Sequence, residues 1–287
     1  MSITENPCST VKKYKINGVA IFLALLLVVY IFPFLIVLIN TFKSKSDIIK
    51  QPLSLMGNDP LSVNNYLQAI DKMHFWRVLW NSTWITAVSV VLIIVFSSMA
   101  AYLFARTDWH ASKLCFALMI ASMAVPFQVL MIPLVSVYGA SLNLLNSPWT
   151  LIFMHIGFGV SMGMFLFHGA IRSTIPLAME EAATIDGCGR FGIFFRIVFP
   201  LLRPTALTLL IIDSLAIWND YLLPSLVLGK NELYTIPIAA RVFHGTYSSD
   251  YGLMMAGLVL SVIPILACYL ILQKYIIDGV VSGAVKG

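Results

Sequence analysis

The chain has 287 residues, of which 59% are hydrophobic and only 11% are charged, and its mean hydropathy is +0.89. A soluble domain needs roughly 25% charged residues to cover its surface, so this composition excludes a soluble globular protein. The net charge of +5 comes from basic residues that lie between apolar runs, which excludes the clustered basic face of a nucleic-acid-binding protein.

Six apolar segments are long enough to cross the roughly 30 Å hydrocarbon core of a bilayer as helices. They cover residues 18–39, 79–104, 114–137, 149–171, 204–226 and 251–271. Helices are expected because lipid leaves backbone polar groups to be satisfied within each segment. We therefore predict an all-α, polytopic membrane protein with about six transmembrane helices. Residues 18–280 form the transmembrane domain, between tails at residues 1–17 and 281–287.

The orientation of the chain follows from the distribution of its lysines and arginines. If the N-terminus is cytoplasmic, 11 of the 18 basic residues fall on the cytoplasmic side and 7 on the outer side. Cytoplasmic loops are usually the more basic ones. We therefore expect both termini to be cytoplasmic and the fourth connection, residues 172–203, to lie on that side.

Several membrane-helix residues have more than one interpretation. Trp76, Trp80 and Trp84 share one helical face, where they favour an interfacial anchor over a surface for stacking sugar rings. The pair Gly159 and Gly163 permits close helix approach. His155 and His168 lack metal-ligand spacing, so we interpret both as packing or boundary residues.

The fourth connection is the most charged part of the chain, and its local chemistry predicts a helix, a turn and a second helix. Pro176 suits a first helical turn, Glu180 and Glu181 favour the positive end of a helix, and Gly187 suits a left-handed stop. A second short helical stretch is expected from Arg190 to Phe199, before Pro200 and Pro204 break it. Such a hairpin is too polar to span lipid and is typical of a docking element for a cytoplasmic partner.

The same connection resembles the EAA motif of bacterial ABC importer permeases. The resemblance rests on Glu-Ala-Ala at residues 181–183 with Asp-Gly at 186–187, and on Pro-Leu at 200–201 with Pro204. The Trp-Asn-Asp-Tyr run at 218–221 with Pro224, the run 233–237 and the tail 283–287 are similar to the carbohydrate branch, the tail to the maltose-type inner permease subunit. The resemblance implies a type I ABC importer permease whose cargo is a carbohydrate, specifically an oligosaccharide.

In that family the hairpin inserts into a groove on the ATPase, which implies a coupling role for one set of residues. The set is Glu181, Ala182, Ala183, Asp186, Gly187, Arg190 and Pro200. The resemblance also implies a second, homologous permease as heterodimer partner, an ABC ATPase dimer and an extracytoplasmic solute-binding protein, assembled with membrane lipid in the prokaryotic cytoplasmic membrane.

ATP and Mg²⁺ are expected on the partner ATPase, because the sequence holds no G-x-x-x-x-G-K-[ST] run. Residues 187–192 do match G-x-G-x-x-G, but that fingerprint needs a preceding strand and a βαβ unit. We expect this chain to carry no catalytic, cofactor-binding or metal-binding residue and to bind no nucleic acid.

A substrate pathway is predicted along the fifth segment. Asp213 falls near mid-bilayer, where a carboxylate costs about 3 kcal/mol and should face the bundle interior or a wet cavity. The candidate pathway residues are Asp213, Trp218, Asn219, Asp220 and Tyr221. Asp220 lies seven residues beyond Asp213, nearly on the same helical face. The alternative is that Asp213 bonds across helices and that Trp218 and Tyr221 are interfacial anchors.

Other functions remain open from the sequence. The fifth connection, with Tyr234, Pro237, Phe243, His244 and Tyr247, is either a contact for the external binding protein or a solvated loop. The cargo could be a non-sugar solute of the same permease family. A stand-alone ion-coupled carrier or channel would need paired intramembrane charges or two matching halves. A membrane-embedded enzyme would need clustered histidine or carboxylate side chains.

Overall fold

The structure is a computed structural model, and it describes residues 18–243 and 250–284. Within these residues the chain forms fourteen α-helices, a few short π- and 3-10-helical stretches and no strand, so the all-α prediction is confirmed. In chain order the helices are α1 (Gly18–Asn40), α2 (Lys45–Lys50), α3 (Asn64–Lys72), α4 (Phe75–Ala105), α5 (His110–Ser122), α6 (Phe127–Val135), α7 (Pro148–Thr174), α8 (Leu177–Ile185), α9 (Arg190–Ile193), α10 (Phe199–Leu201), α11 (Arg203–Trp218), α12 (Leu222–Val227), α13 (Ile236–Ala240) and α14 (Tyr251–Ala284).

Four of the described helices are long and apolar enough to cross a bilayer without a break: α1, α4, α7 and the 251–271 part of α14. Two bent pairs bring the number of candidate spans up to six. The prediction of about six membrane helices is therefore confirmed. The last helix continues well beyond residue 271, the end expected from hydropathy.

The prediction that residues 114–137 form one helix is wrong. Helix α5 ends at Ser122, and α6 begins at Phe127 after a bend of 96°. Pro126 lies at the break, where it has no N–H to donate and disfavours the helical conformation of the residue before it. A π-helical stretch, Ser136–Ser141, then occupies the start of the predicted third loop.

The fifth predicted segment, residues 204–226, is also broken. Helix α11 ends at Trp218, and the short helix α12 begins at Leu222. The sixteen residues of α11 span about 24 Å, which is less than the roughly 30 Å thickness of the hydrocarbon core. The prediction that Asp213 and Asp220 share one face of one helix is therefore wrong, because Asp220 lies beyond the end of α11.

Close contact between α4, α7 and α11 forms the centre of the bundle. Ile93 of α4 lies against Gly159 of α7, and one turn further along both Ser97 of α4 and Leu209 of α11 lie against Gly163. The equal spacing shows that α4 and α7 run parallel. A side chain at either glycine would collide with these neighbours, so the predicted close helix approach is confirmed.

The two histidines of α7 are packing residues, as predicted. His155 is buried, and the ring of His168 lies 4.2 Å from that of Phe116 in α5. Of the tryptophans that begin α4, Trp76 and Trp80 are exposed, which fits an interfacial anchor. Trp84 instead packs edge-on against Trp149 of α7 with ring centroids 5.5 Å apart.

Helix α1 contacts α14, but only its C-terminal part is even partly buried. It is the most hydrophobic of the candidate spans, yet Asn40 at its C-terminal end is its only buried residue. Its leucine, valine and phenylalanine side chains are exposed along the whole length of the helix. This surface needs either lipid or another membrane protein to cover it.

Residues 40–62 fold compactly around two buried charges at the end of the bundle where α4 begins. The Lys43 ammonium donates hydrogen bonds to the carbonyl oxygens of Gln51 (3.0 Å) and Ser54 (2.5 Å). The Asp47 carboxylate accepts a 3.0 Å hydrogen bond from the Asp59 backbone N–H. This hydrogen bond is the largest influence on the Asp47 carboxyl group and lowers its pKa below the ordinary value for aspartate.

Because the pKa of Asp47 is depressed in the folded segment, its stabilising effect is fully present above the ordinary aspartate pKa of about 3.9 and is lost as the pH falls through the folded value. We expect the Asp59 amide to be protected from hydrogen exchange at pH 6 and to lose that protection at acid pH, after correction for intrinsic exchange. Asp47→Asn should lower the protection already at pH 6. Asp71→Asn, an exposed change in α3, is the control, and equal loss in both variants would contradict the assignment.

Candidate functional site

The predicted hairpin is observed at the end of the bundle where α4 and α7 finish. Helix α8 ends at Ile185 with Asp186 as its C-cap, and Gly187 adopts the left-handed conformation with φ +82°. The Gly187 N–H donates to the Thr184 carbonyl and the Cys188 N–H donates to the Ala183 carbonyl. These two bonds form a Schellman motif, which ends the first arm and turns the chain sharply into the second.

The second arm of the hairpin is longer than predicted, because Pro200 does not break it. Residues 190–201 continue through α9, a π-helical stretch at Phe194–Val198 and α10, in which Pro200 occupies a first-turn position that needs no N–H. The break comes at Leu202, and the chain then enters α11 at an angle of 73°. A helix and not a strand precedes residues 187–192, so their G-x-G-x-x-G pattern has no dinucleotide-binding context.

Most of the predicted coupling residues lie on the exposed side of this hairpin. The exposed members are Glu181, Ala182, Asp186, Gly187, Arg190 and Pro200. Large apolar side chains surround them, with Ile185 87% exposed and Phe191 72% exposed. Ala183 differs, because it is buried and packs into the core cluster of the bundle. The hairpin tip is thus a mixed polar and apolar surface on a rigid support.

The hairpin is held against α4 by a buried ion pair that sequence reasoning missed. Both Nε and Nη2 of Arg106 donate to Glu180 Oε1, at 2.9 and 2.7 Å, and Nη2 also donates to the Ile175 carbonyl. The Tyr102 hydroxyl donates to Glu180 Oε2 at 2.8 Å. Both carboxylate oxygens of Glu180 are therefore engaged within the chain, and Glu181 is the glutamate that faces outward.

A second candidate site is a cleft of about 540 Å³ near the opposite end of the bundle. Helices α11, α13 and α14 enclose it, and three predicted pathway residues line it: Trp218, Asn219 and Tyr221. Arg241, which the sequence analysis did not select, also lines the cleft, with its guanidinium 4.6 Å from the centre of the Tyr221 ring. Trp218 is mostly buried, and its indole N–H donates to the Ser261 carbonyl at 3.2 Å.

The two predicted carboxylates do not line the cleft. Asp220 Oδ1 accepts a 3.3 Å hydrogen bond from the Leu223 N–H and so caps the first turn of α12. Asp213 is buried on α11, as the cost of a lipid-facing carboxylate predicts. Its Oδ2 atom has no hydrogen-bond partner among the described residues.

His244 and Tyr247, proposed from sequence as contacts in the fifth connection, lie outside the described residues. Pro237 of the same connection lines the cleft, and Phe243 is buried against the core. Tyr234 packs partly buried, and its carbonyl accepts a hydrogen bond from Asn81 of α4. The described part of this connection is therefore packed against the bundle.

Comparison with known proteins agrees with this architecture. Residues 93–281 match the family described as the binding-protein-dependent transport system inner membrane component. The chain is 40% identical over 276 residues to the probable starch degradation products transport system permease protein AmyC of Thermoanaerobacterium thermosulfurigenes, covering 96% of this chain and 98% of that one. It is 36% identical over 255 residues to the melibiose/raffinose/stachyose import permease protein MelC of Bacillus subtilis, covering 89% and 91% of the two chains.

The fold is also found in a solved structure, that of a bacterial ABC transporter involved in the import of the acidic polysaccharide alginate. The match has a TM-score of 0.75 at 19% sequence identity and covers 89% of this chain and 94% of that one. At this identity the likeness shows the fold alone. Together with the family match and the full-length relatives, the six candidate spans and the hairpin show that the chain is a multi-pass membrane transport permease, a member of the binding-protein-dependent transport system inner membrane component family.

Proposed function

We propose that the chain is one permease subunit of an ATP-driven importer and forms part of the translocation route for a carbohydrate, an oligosaccharide in particular. The observation that carries this proposal is the hairpin, whose tip is exposed while its base is fixed by buried contacts. A surface of this kind can bind a partner, and the fixed base can transmit movement of that partner to the membrane helices.

The partner at the hairpin is a separate ABC ATPase dimer, which binds and hydrolyses ATP with Mg²⁺. The exposed tip combines carboxylates, Glu181 and Asp186, with the apolar side chains of Ile185 and Phe191. Buried apolar anchors with a polar rim are typical of specific protein interfaces. The absence of a phosphate-binding loop from the sequence supports placing ATP hydrolysis on another chain.

A second, different permease completes the membrane part of the importer. The exposed length of α1 supports this assignment, because most apolar side chains of that helix are not covered by any part of the chain within residues 18–243 and 250–284. The excess of lysine and arginine on the hairpin side supports a cytoplasmic hairpin and cytoplasmic termini, in a prokaryotic cytoplasmic membrane. The opposite end would then meet an extracytoplasmic solute-binding protein, in line with the description of the family.

Carbohydrate cargo is supported by the relatives and by the cleft. The names of AmyC and MelC describe transport of starch degradation products and of raffinose-type sugars. The cleft presents the aromatic ring of Tyr221 and the hydrogen-bonding groups of Asn219 and Arg241. Aromatic rings stack on sugar C–H faces, while amide and guanidinium groups bind hydroxyls. Asp213 is proposed to contribute to the pathway only through the packing of α11, and Asp220 only through capping of α12.

Purification of the tagged chain from its native host in mild detergent tests the assembly. We expect an ABC ATPase and a second permease to co-purify with it, and we expect deletion of the chain to abolish uptake of maltotriose or raffinose. Glu181→Lys should reduce that uptake at least tenfold at an unchanged amount of membrane protein. Asp71→Lys, which reverses an exposed carboxylate of α3 at the opposite end, is the matched control.

Recovery of the chain alone, under conditions that preserve known importers, would contradict the assembly. Co-purification of the ATPase without uptake of either sugar would retain the importer and contradict the cargo. Equal uptake by Glu181→Lys and Asp71→Lys would contradict the coupling role of the hairpin tip.

A further inference from the structure

Helix α4 contacts both candidate sites, one at each end. It has 31 residues and is therefore about 46 Å long. It contains neither proline nor glycine, the residues at which helices usually kink. Over its length it also packs against α7 and α11 through the glycine contacts at the centre of the bundle. Such a helix moves as a unit.

At the hairpin end, α4 is joined to both arms of the hairpin. Arg106 is the C-terminal cap of α4, and Glu180 lies in the first turn of α8. Each charge is therefore at the helix end that favours it, and the two charges also favour each other. The Tyr102 ring packs against Phe194 of the second arm with centroids 5.4 Å apart. The hairpin cannot shift without either moving the end of α4 or breaking this buried pair.

At its other end, α4 is joined to the segment that forms a wall of the cleft. The Asn81 side-chain amide donates to the carbonyl oxygens of Glu232 (2.9 Å) and Tyr234 (3.1 Å). The Ser82 hydroxyl accepts a 2.8 Å hydrogen bond from the Ile236 backbone N–H. Ile236 begins α13 and lines the cleft, and Arg241 follows directly after that helix.

We propose that α4 is the rod that carries hairpin movement to the cleft, with the Arg106–Glu180 pair as its joint to the hairpin and Asn81 and Ser82 as its joint to the cleft wall. This inference rests on the proposed function of the hairpin and the cleft. Arg106, Glu180, Asn81 and Ser82 are then positioning residues, since they act through the helix and need not touch ATPase or cargo.

The two joints differ in chemistry, and that difference shapes the test. Removing only one partner of the buried ion pair would strand the other charge and destabilise the protein. The double variant Arg106→Met with Glu180→Met replaces both charges by apolar side chains that fill similar space, which is often neutral for stability. It removes the directional link and keeps the packing. Asn81→Leu removes two of the three hydrogen bonds of the other joint and leaves the one that Ser82 accepts from Ile236.

The experiment uses the complex purified from the native host and reconstituted in liposomes with its binding protein. The readout is the number of ATP molecules hydrolysed per sugar imported, using maltotriose or raffinose, whichever the wild type transports. We expect at least a fivefold increase in this ratio for Arg106→Met with Glu180→Met and for Asn81→Leu, at normal assembly with the ATPase. Arg106→Lys, which keeps the charge but loses the forked contact with Glu180 and Ile175, should give a smaller increase.

Two matched controls separate transmission from stability. Asp108→Asn with Lys113→Gln removes the exposed ion pairs of Asp108 with Lys113 (3.6 Å) and Arg172 (3.7 Å) on the hairpin side. Thr83→Val removes an exposed hydroxyl of α4 that bonds only within its own helix. Both should keep the wild-type ratio. If an assembled double-methionine or Asn81→Leu complex hydrolyses as many ATP molecules per imported sugar as the wild type, the proposal that α4 transmits hairpin movement is overturned. If the double-methionine protein does not assemble, a wild-type ratio in both Arg106→Lys and Asn81→Leu overturns it. A wild-type chain that recovers no ATPase overturns the proposed function instead.

Discussion

Replacing Gly163 with valine is expected to lower the thermal stability of the purified protein by roughly 10 °C, on the basis of about 3 kcal/mol of overpacking. A Cβ atom at this position would lie 2.5 Å from Ser97 Oγ and 2.8 Å from Leu209 Cδ2. Neither neighbour can retreat, because both are fully buried. The collision would separate α7 from α4 and α11 at the centre of the bundle. The fraction of protein that stays monodisperse in detergent after a heat step measures the effect.

Gly157 offers a matched control on the same helix. A Cβ atom there would meet nothing within 4 Å outside its own helix, and the residue is exposed. Gly157→Val adds the same two methyl groups and the same β-branching without a clash, so its stability should remain near that of the wild type. Equal destabilisation by the two valines would mean that helix propensity, and not the three-helix contact, determines the effect.

Hydropathy predicted where the chain crosses the membrane but not where the spans break. Pro126 lies at the 96° bend between α5 and α6, whereas Pro33 and Pro264 lie inside α1 and α14 without ending them. A proline in a membrane segment therefore does not by itself predict a break. At residues 219–221 the chain breaks with neither proline nor glycine, and the local signal is the pair Asn219 and Asp220, which favours a turn but does not by itself end a helix.

The hairpin was predictable because its determinants are local. The residues that start the first helix, end it in a left-handed turn and form the second arm all lie within about thirty positions of the sequence. Gly187 adopts the positive φ expected of it. The Arg106–Glu180 pair was not predictable, since its members are 74 residues apart and only the packing of α8 on α4 brings them together. Sequence reasoning likewise interpreted Glu180 only as a favourable charge at a helix start.

The cleft was predicted in part, because some of its lining residues are adjacent in the sequence. The Trp-Asn-Asp-Tyr run indicated polar and aromatic chemistry at the end of the fifth segment, and three of its four residues line the cleft. Arg241 belongs to the fifth connection and reaches the cleft only because α13 folds back over α11 and α14. A single sequence gives no indication of that return, and it also gives no reason to exclude Asp220, which caps α12.

Gly187→Val is expected to reduce sugar uptake at least tenfold while the protein still inserts into the membrane. Valine at φ +82° is strained, because its branched side chain collides with the backbone in the left-handed region. The strain can be relieved only by opening the turn between α8 and the second arm, which changes the angle at which Glu181 and Arg190 are presented. A Cβ atom would meet no other residue within 4 Å, so packing elsewhere is left intact.

Gly189, two residues further along the hairpin, is the control for this substitution. Its φ of −74° is open to any residue, and a Cβ atom there would also meet nothing within 4 Å. Gly189→Val therefore adds the same bulk to the same exposed turn without strain, and uptake of maltotriose or raffinose should stay near the wild-type rate. Loss of uptake in both variants would show that added bulk blocks the partner surface. Full uptake in Gly187→Val would show that the geometry of the turn does not matter for coupling.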